Sequence, residues 1–92
     1  MPAIRIEVEG RVQGVGFRAF VCRRAALFGV GGSVWNRSDG MVEIFAVYPE
    51  QGTLDAFAGS LESGPGKVRA VRTFAAEEPA IEPLGFSTSP TR

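Results

Sequence analysis

The residues of this 92-residue chain best suited to chemistry stand in one stretch, Gly10-Arg11-Val12-Gln13-Gly14-Val15-Gly16-Phe17-Arg18. A glycine-punctuated loop that leaves an apolar strand and opens a helix is a physical recipe for holding an anion. The first helical amides have no intrahelical acceptor, and the helix dipole adds partial positive charge at that end. Gly14 and Gly16 tolerate the backbone angles that turn successive N–H groups inward as a nest. Arg18, just inside the helix, adds a planar fork of donors matched to phosphate oxygens. The same residues admit a plainer reading, in which the two glycines permit a tight strand-to-helix turn and Arg18 is solvated. The loop lacks the Lys-Ser/Thr of a nucleotide-triphosphate P-loop, and its spacing differs from a dinucleotide-binding fingerprint.

The rest of the composition narrows the chemistry further. The chain has no histidine and a single cysteine, Cys22. A Ser-His-Asp triad, a Cys-His pair, a histidine-ligated zinc and an intrachain disulfide are therefore excluded. Any reaction must run on arginine, asparagine, carboxylates, hydroxyls and backbone. Cys22 sits beside the apolar positions of the helix and reads as packing, since only Arg23 adjoins it to favour a thiolate. Arg23 and Arg24 read as a solvated helix face, Asp39 as a turn residue, and Glu77 and Glu78 as surface charge. Ten basic and ten acidic residues cancel, so no overall field draws the chain to nucleic acid or an anionic membrane. Residues 1–46 nevertheless hold six arginines against four acids, which favours the N-terminal half as host for an anion. There is no signal-peptide or transit pattern and no apolar run of roughly 18 residues. The expectation is a cytoplasmic protein without a membrane partner.

The elements that must position this loop are legible from periodicity. Ile4, Ile6 and Val8 alternate with Arg5, Glu7 and Glu9, which predicts a half-buried strand over 3–9 that closes at Gly10. From Phe17 the period becomes helical. Phe17, Phe20, Val21, Ala25, Leu27 and Phe28 fall near one stripe, and Gly29 stops the helix. Residues 33–36 form a short strand, and the Asp39-Gly40 turn predicts an antiparallel hairpin with a strand over 41–48. Pro49 precedes an amphipathic helix over about 50–62, with Leu54, Phe57, Ala58 and Leu61 at i, i+3, i+4 and i+7. Gly64-Pro65-Gly66 ends it. A strand over 67–76 follows, with a bulge near its start because Val68 and Val71 break the alternation. A last short strand falls around 84–87, and the Ser-Pro-Thr-Arg tail is expected to fray. The order β-α-β-β-α-β predicts an α+β, ferredoxin-like fold: two helices on one face of a four-stranded antiparallel sheet. Residues 1–92 make one domain with an ordered core of about 3–88.

The 10–18 segment closely resembles the acylphosphatase signature G-x-V-Q-G-V-x-F-R. That family's second signature, a Gly-aromatic-Val-x-Asn strand followed by a turn and a glycine, has its counterpart in Gly32-Ser33-Val34-Trp35-Asn36 and then Asp39-Gly40. The resemblance extends over almost the whole chain, through Gly64-Pro65-Gly66 and Gly85-Phe86. It implies hydrolysis of acyl phosphates to a carboxylate and inorganic phosphate. By position, Arg18 matches the family's phosphate-binding arginine, and Asn36 the asparagine that positions the attacking water. The backbone amides of Gln13, Gly14, Val15, Gly16 and Phe17 would surround the phosphoryl oxygens. Such a site accounts for the missing histidines. An acyl phosphate is a mixed anhydride with a good leaving group, and phosphoryl transfer needs mainly positioning and charge stabilisation. The expected enzyme is a monomer that uses no metal or other cofactor, with inorganic phosphate or other anions as product or inhibitor.

The chain departs from the family pattern at Ser33, where an aromatic residue is usual. Trp35 shares that strand face, and either covers the surface position 33 normally covers or stands partly exposed with no such role. A similar loop also opens a larger carbamoyltransferase used in hydrogenase maturation. The zinc-finger-like cysteines that follow it there are missing here, which favours a free-standing enzyme. A ferredoxin-like nucleic-acid-binding module is disfavoured by zero net charge and the lack of an RNP-type aromatic strand.

Overall fold

The computed structural model describes residues 1–92. Strand β1 spans Ala3–Arg11 and leads to helix α1 at Phe17–Phe28. Strands β2 (Gly31–Asn36) and β3 (Val42–Val47) form the hairpin, and helix α2 (Gln51–Ser60) ends in a 3-10 turn over Leu61–Ser63. Strand β4 (Lys67–Ala75) and a short β5 (Phe86–Thr88) complete the chain. The ferredoxin-like α+β arrangement is therefore present, with one correction. The sheet has five strands in the order β4-β1-β3-β2-β5, and β5 lies parallel to β2. A four-stranded sheet would leave the outer edge of β2 with unpaired N–H and C=O groups. The returning chain covers that edge, pairing Gly32 with Phe86 and Val34 with Thr88.

Several boundaries shift for identifiable reasons. The first strand does not close at Gly10 but runs through it to Arg11. Between Glu9 and Gly10 the β1–β4 register slips: Glu9 faces Ala70 and Gly10 faces Val68. Arg69 is thus the extra residue of a bulge on β4, near its start as the broken alternation predicts. A side chain at Gly10 would meet the Lys67 carbonyl at 2.0 Å, and φ there is +140°, so only glycine fits. Leu27, counted into the helical stripe, is instead 80% exposed. The buried line of α1 is Phe17, Val21 and Ala25, a strict i, i+4, i+8 ridge, and Leu27 falls off it. Gly29 ends the helix in the left-handed region. Its N–H bonds to the Ala26 carbonyl and that of Val30 to the Ala25 carbonyl, which is the Schellman pattern.

The core lies between the helices and one sheet face. Ile4, Ile6 and Val8 of β1 and Val42, Ile44 and Ala46 of β3 meet Phe17, Val21, Leu54, Phe57 and Leu61 there. Gly64 lets the chain leave the 3-10 turn against α1, since a Cβ on it would stand 2.5 Å from the Phe17 ring and 2.8 Å from that of Phe20. The opposite sheet face carries charge. Register places Glu7 directly across from Glu43, an unfavourable like-charge pair by itself. Arg5 bridges the two at 2.8 and 3.5 Å, and Arg37 does so at 2.6 and 3.4 Å.

One consequence of this topology brings the site together. Strands β1 and β2 are each antiparallel to β3, which lies between them, so they run parallel to one another. β5 is parallel to β2. The C-terminal ends of β1, β2 and β5 therefore reach the same edge of the sheet, where α1 begins.

Candidate active site

A cleft of ≈ 300 Å³ opens at that edge, walled by Val12, Gly14, Gly16, Phe17, Arg18, Ala19, Asn36 and Thr88. Gly16 caps α1 in the left-handed conformation (φ 81°, ψ 18°) and offers no side chain to the helix end. The first bond of the helix runs from the Phe20 N–H to the Gly16 carbonyl. That leaves the N–H groups of Phe17, Arg18 and Ala19 without an intrahelical acceptor, at the positive end of the dipole. Gly14 is also left-handed (φ 74°), with open space where a Cβ would be. Phe17 is fully buried and anchors the first turn in the core, which holds the loop from below.

Arg18 and Asn36, 18 positions apart in sequence, line this one cleft. Gly14, Gly16 and Phe17 line it with them, whereas Gln13 and Val15 are not among its walls. Val15 packs against the core. Gln13 turns its side chain away to the turn after β2, where its amide donates to the Arg37 carbonyl at 2.7 Å and the Met41 carbonyl at 2.9 Å. The phosphate-type loop is thereby tied to the turn that begins one residue past Asn36. Arg18 donates to the Ser89 carbonyl at 3.5 Å, a long bond that leaves most of its five donors for other partners.

Asn36 faces the cleft because it ends β2 on the helix side, in phase with fully buried Val34. Trp35 points the other way and is only 7% exposed, with the Arg92 guanidinium 4.0 Å above its ring. The partly exposed alternative for Trp35 is thus not what the fold provides. Asp39 acts as the expected turn residue, accepting from the Met41 N–H at 3.1 Å ahead of Gly40 (φ +96°).

Sequence reasoning passed over three features. Gln13 was read only for its amide, yet its side chain reaches the 37–41 turn. Arg37 has no local signal beyond its charge, yet it binds Glu7 and also Asp39, both at 2.6 Å. Hydrogen bonds from Arg5 and then Arg37 hold the Glu7 carboxyl below the usual carboxylate range, against the opposing effect of burial. The bond to Glu7 in turn pushes the Arg37 guanidinium up. Two glutamates on the polar face of neighbouring strands were the signal that a cation must sit between them. Thr88, in the cleft wall, carried no sequence signal because it arrives through the β5 return. Cys22 is half-buried, and burial pushes its thiol up despite Arg18 and Arg23, which suits packing rather than nucleophilic work.

The acylphosphatase family model matches residues 4–88. The chain belongs to the acylphosphatase family. A curated acylphosphatase of Aeromonas salmonicida is 42% identical over 84 residues, spanning 91% of this chain and 92% of that one. The crystal structure of acylphosphatase from Bacillus subtilis superposes with a TM-score of 0.88 at 37% identity, covering 97% of this chain and 99% of its own. The fold also matches part of full-length HypF, solved in its phosphate- and nucleotide-bound form. There the TM-score is 0.79 at 26% identity, over 98% of this chain and 12% of HypF. Family members are hydrolases of acid anhydrides in phosphorus-containing compounds, and the chemistry of this chain is acyl phosphate hydrolysis.

Proposed function

We propose that Arg18 and the loop amides of residues 13–17 hold the phosphoryl group of the acyl phosphate while Asn36 orients the attacking water, with no metal taking part. The observation that carries this reading is the joint lining of one cleft by an uncapped helix N-terminus, an arginine and an asparagine side chain. Phosphoryl oxygens lying against the free amides of α1 and the Arg18 fork have their charge stabilised by groups already in place. The Asn36 amide supplies a carbonyl acceptor and an N–H donor, which together fix a water in one orientation. The water oxygen forms a bond to phosphorus, and the bond from phosphorus to the acyl oxygen breaks. The carboxylate leaves with the electron pair, and the water proton passes to a phosphoryl oxygen. The weakly basic leaving group makes a protein acid unnecessary, consistent with a chain that lacks histidine.

Inorganic phosphate, as product, would compete for the same amides. The reading pictures a 9.8 kDa monomer in the cytoplasm, and no helix is long and apolar enough to cross a membrane. The match to 12% of HypF supports a second reading, in which the same site is one portion of a longer polypeptide. The size of the native gene product on an immunoblot separates the two.

The test is phosphate release from acetyl and benzoyl phosphate by the purified chain with EDTA present. Arg18→Ala should raise KM and lower kcat, costing about 100-fold or more in kcat/KM. Asn36→Ala should lower kcat by roughly 100-fold with KM nearly unchanged, since the water is used in the transition state. Wild-type turnover in either variant removes that residue from the mechanism, and loss of activity in EDTA removes the metal-free reading.

A further inference from the structure

Beyond β5 the chain does not fray. It continues along the outer edge of β2 and is fastened to the residues on either side of Asn36. The Ser89 N–H donates to the Val34 carbonyl at 2.8 Å, the Arg92 N–H to the Asn36 carbonyl at 2.9 Å, and the Ser38 N–H to the Arg92 main-chain oxygen at 2.7 Å. The Arg92 guanidinium then folds over the far face of β2 and stacks on Trp35 at 4.0 Å. Pro90, between the bonded residues, has its φ fixed in advance, which lowers the entropy lost when the segment docks.

We propose that residues 88–92 are a positioning strap for Asn36, with the Arg92–Trp35 stack as its latch. The proposal rests on the reading of Asn36 as the residue that orients water. The argument is one of strand geometry. Side chains alternate across a strand, so whatever fixes Trp35 against one face fixes the pleat that sends Asn36 to the other. Asn36 is the last residue of β2, where a strand is freest to twist. From the β3 side its backbone is paired with Val42. Without the strap its carbonyl would face solvent, and the peptide would rotate about that single ladder. With the strap, both edges of Asn36 are held and the residue before it is capped. Arg92 bonds to the Asn36 backbone but is not among the residues that wall the cleft, so it is a positioning residue and not a catalytic one. The latch also gives a physical use to Trp35 in a strand where position 33 is serine.

The chain's only tryptophan is Trp35, so its emission reads the latch directly while turnover reads Asn36. The full chain is compared with Arg92→Ala, Arg92→Lys, Trp35→Ala and the Arg92→Ala/Trp35→Ala pair, all assayed well below their melting temperatures. Arg92→Ala should red-shift Trp35 emission and increase its quenching by acrylamide. Its kcat on benzoyl phosphate should fall about tenfold with KM held within about twofold, the signature of a misaligned group rather than a lost binding contact. Arg92→Lys keeps a cation over the ring and should recover most of kcat. The double variant should be no slower than Trp35→Ala, because the two residues act as one unit. Unchanged Trp35 emission in Arg92→Ala refutes the latch. A shifted emission with wild-type kcat refutes the positioning role, and so does a loss of kcat that Arg92→Lys leaves unrelieved. Asn36→Ala in the same assay keeps the two readings apart. If it turns over normally, the water-orienting role of Asn36 fails. If it is slow while Arg92→Ala is not, the strap alone fails.

Discussion

Replacing Gln13 by alanine cuts the one side-chain tie between the loop that we propose holds the phosphoryl group and the turn that follows Asn36. Two part-buried hydrogen bonds are lost, to the Arg37 carbonyl at 2.7 Å and the Met41 carbonyl at 2.9 Å. Each neutral bond of this kind contributes about 0.5–1.5 kcal/mol net. Neither carbonyl is orphaned by the change. The Gly40 N–H still donates to the Arg37 carbonyl at 3.1 Å, and the Arg37 N–H to the Met41 carbonyl at 2.8 Å. The penalty for a buried unsatisfied acceptor therefore does not apply, and the expected loss from the two bonds is about 1–3 kcal/mol. In a domain of this size that lowers Tm by roughly 4–24 °C. If the tie also sets the distance between Asn36 and the loop, part of the loss returns as misalignment in the transition state. The expected outcome is kcat lower by about tenfold, equivalent to about 1.4 kcal/mol, with a smaller change in KM. Thermal melting by circular dichroism and steady-state hydrolysis of benzoyl phosphate measure the two effects separately. Gln13→Glu sharpens the test, because it keeps the shape but sets a carboxylate against two carbonyl oxygens, and it should be worse than alanine on both counts. A lower Tm with unchanged kcat would refute the coupling of the two halves. Wild-type behaviour of Gln13→Glu in both assays would refute the hydrogen-bond arithmetic itself.

Two further expectations follow from other parts of the molecule. The Glu7 carboxyl is held below its ordinary range by Arg5 and Arg37, so its contribution to stability is complete above the ordinary carboxylate range and disappears as pH falls through the lowered value. Glu7→Gln should therefore melt below wild type at neutral pH, and the gap should close in acid, as followed by Tm against pH. Gly64→Ala drives a methyl group to 2.5 Å from the Phe17 ring and 2.8 Å from that of Phe20. The resulting overpacking should cost about 1–3 kcal/mol in urea denaturation, and an unshifted midpoint would mean that the two rings can move aside.

Much of the site was legible before any coordinates because its parts are local. Gly14, Gly16 and Arg18 lie within five consecutive residues, and strand-loop-helix periodicity alone puts an arginine and free amides at one helix end. The hairpin was equally local, since Asp39-Gly40 dictates its turn and the alternation of its strands dictates which faces are buried. Asn36 was different. Its role came only from resemblance to a family signature, because nothing in the chemistry of a lone asparagine points to a water.

Tertiary structure decided what depends on residues distant in sequence. That Asn36 and Arg18 share a cleft follows from β1 and β2 lying parallel on either side of β3, a pairing that no local pattern encodes. The pairing of the last strand, as a fifth member of the sheet parallel to β2, escaped the sequence reading for the same reason. Residues 86–88 are too few to show a period, and they become a strand because β2 offers an unpaired edge. Leu27 shows the reverse case, an apolar residue that sits about 120° around the helix from the buried ridge and so stays in solvent. Gln13, Arg37 and Arg92 each have an unremarkable local setting, and each gains its partner only when the chain closes. Backbone periodicity and turn chemistry are fixed by neighbours in sequence, so the amino-acid order by itself determines the elements and the glycine loop that opens α1. The reach of a long side chain is fixed by neighbours in space, so only the closed sheet determines which groups hold Asn36 against that loop.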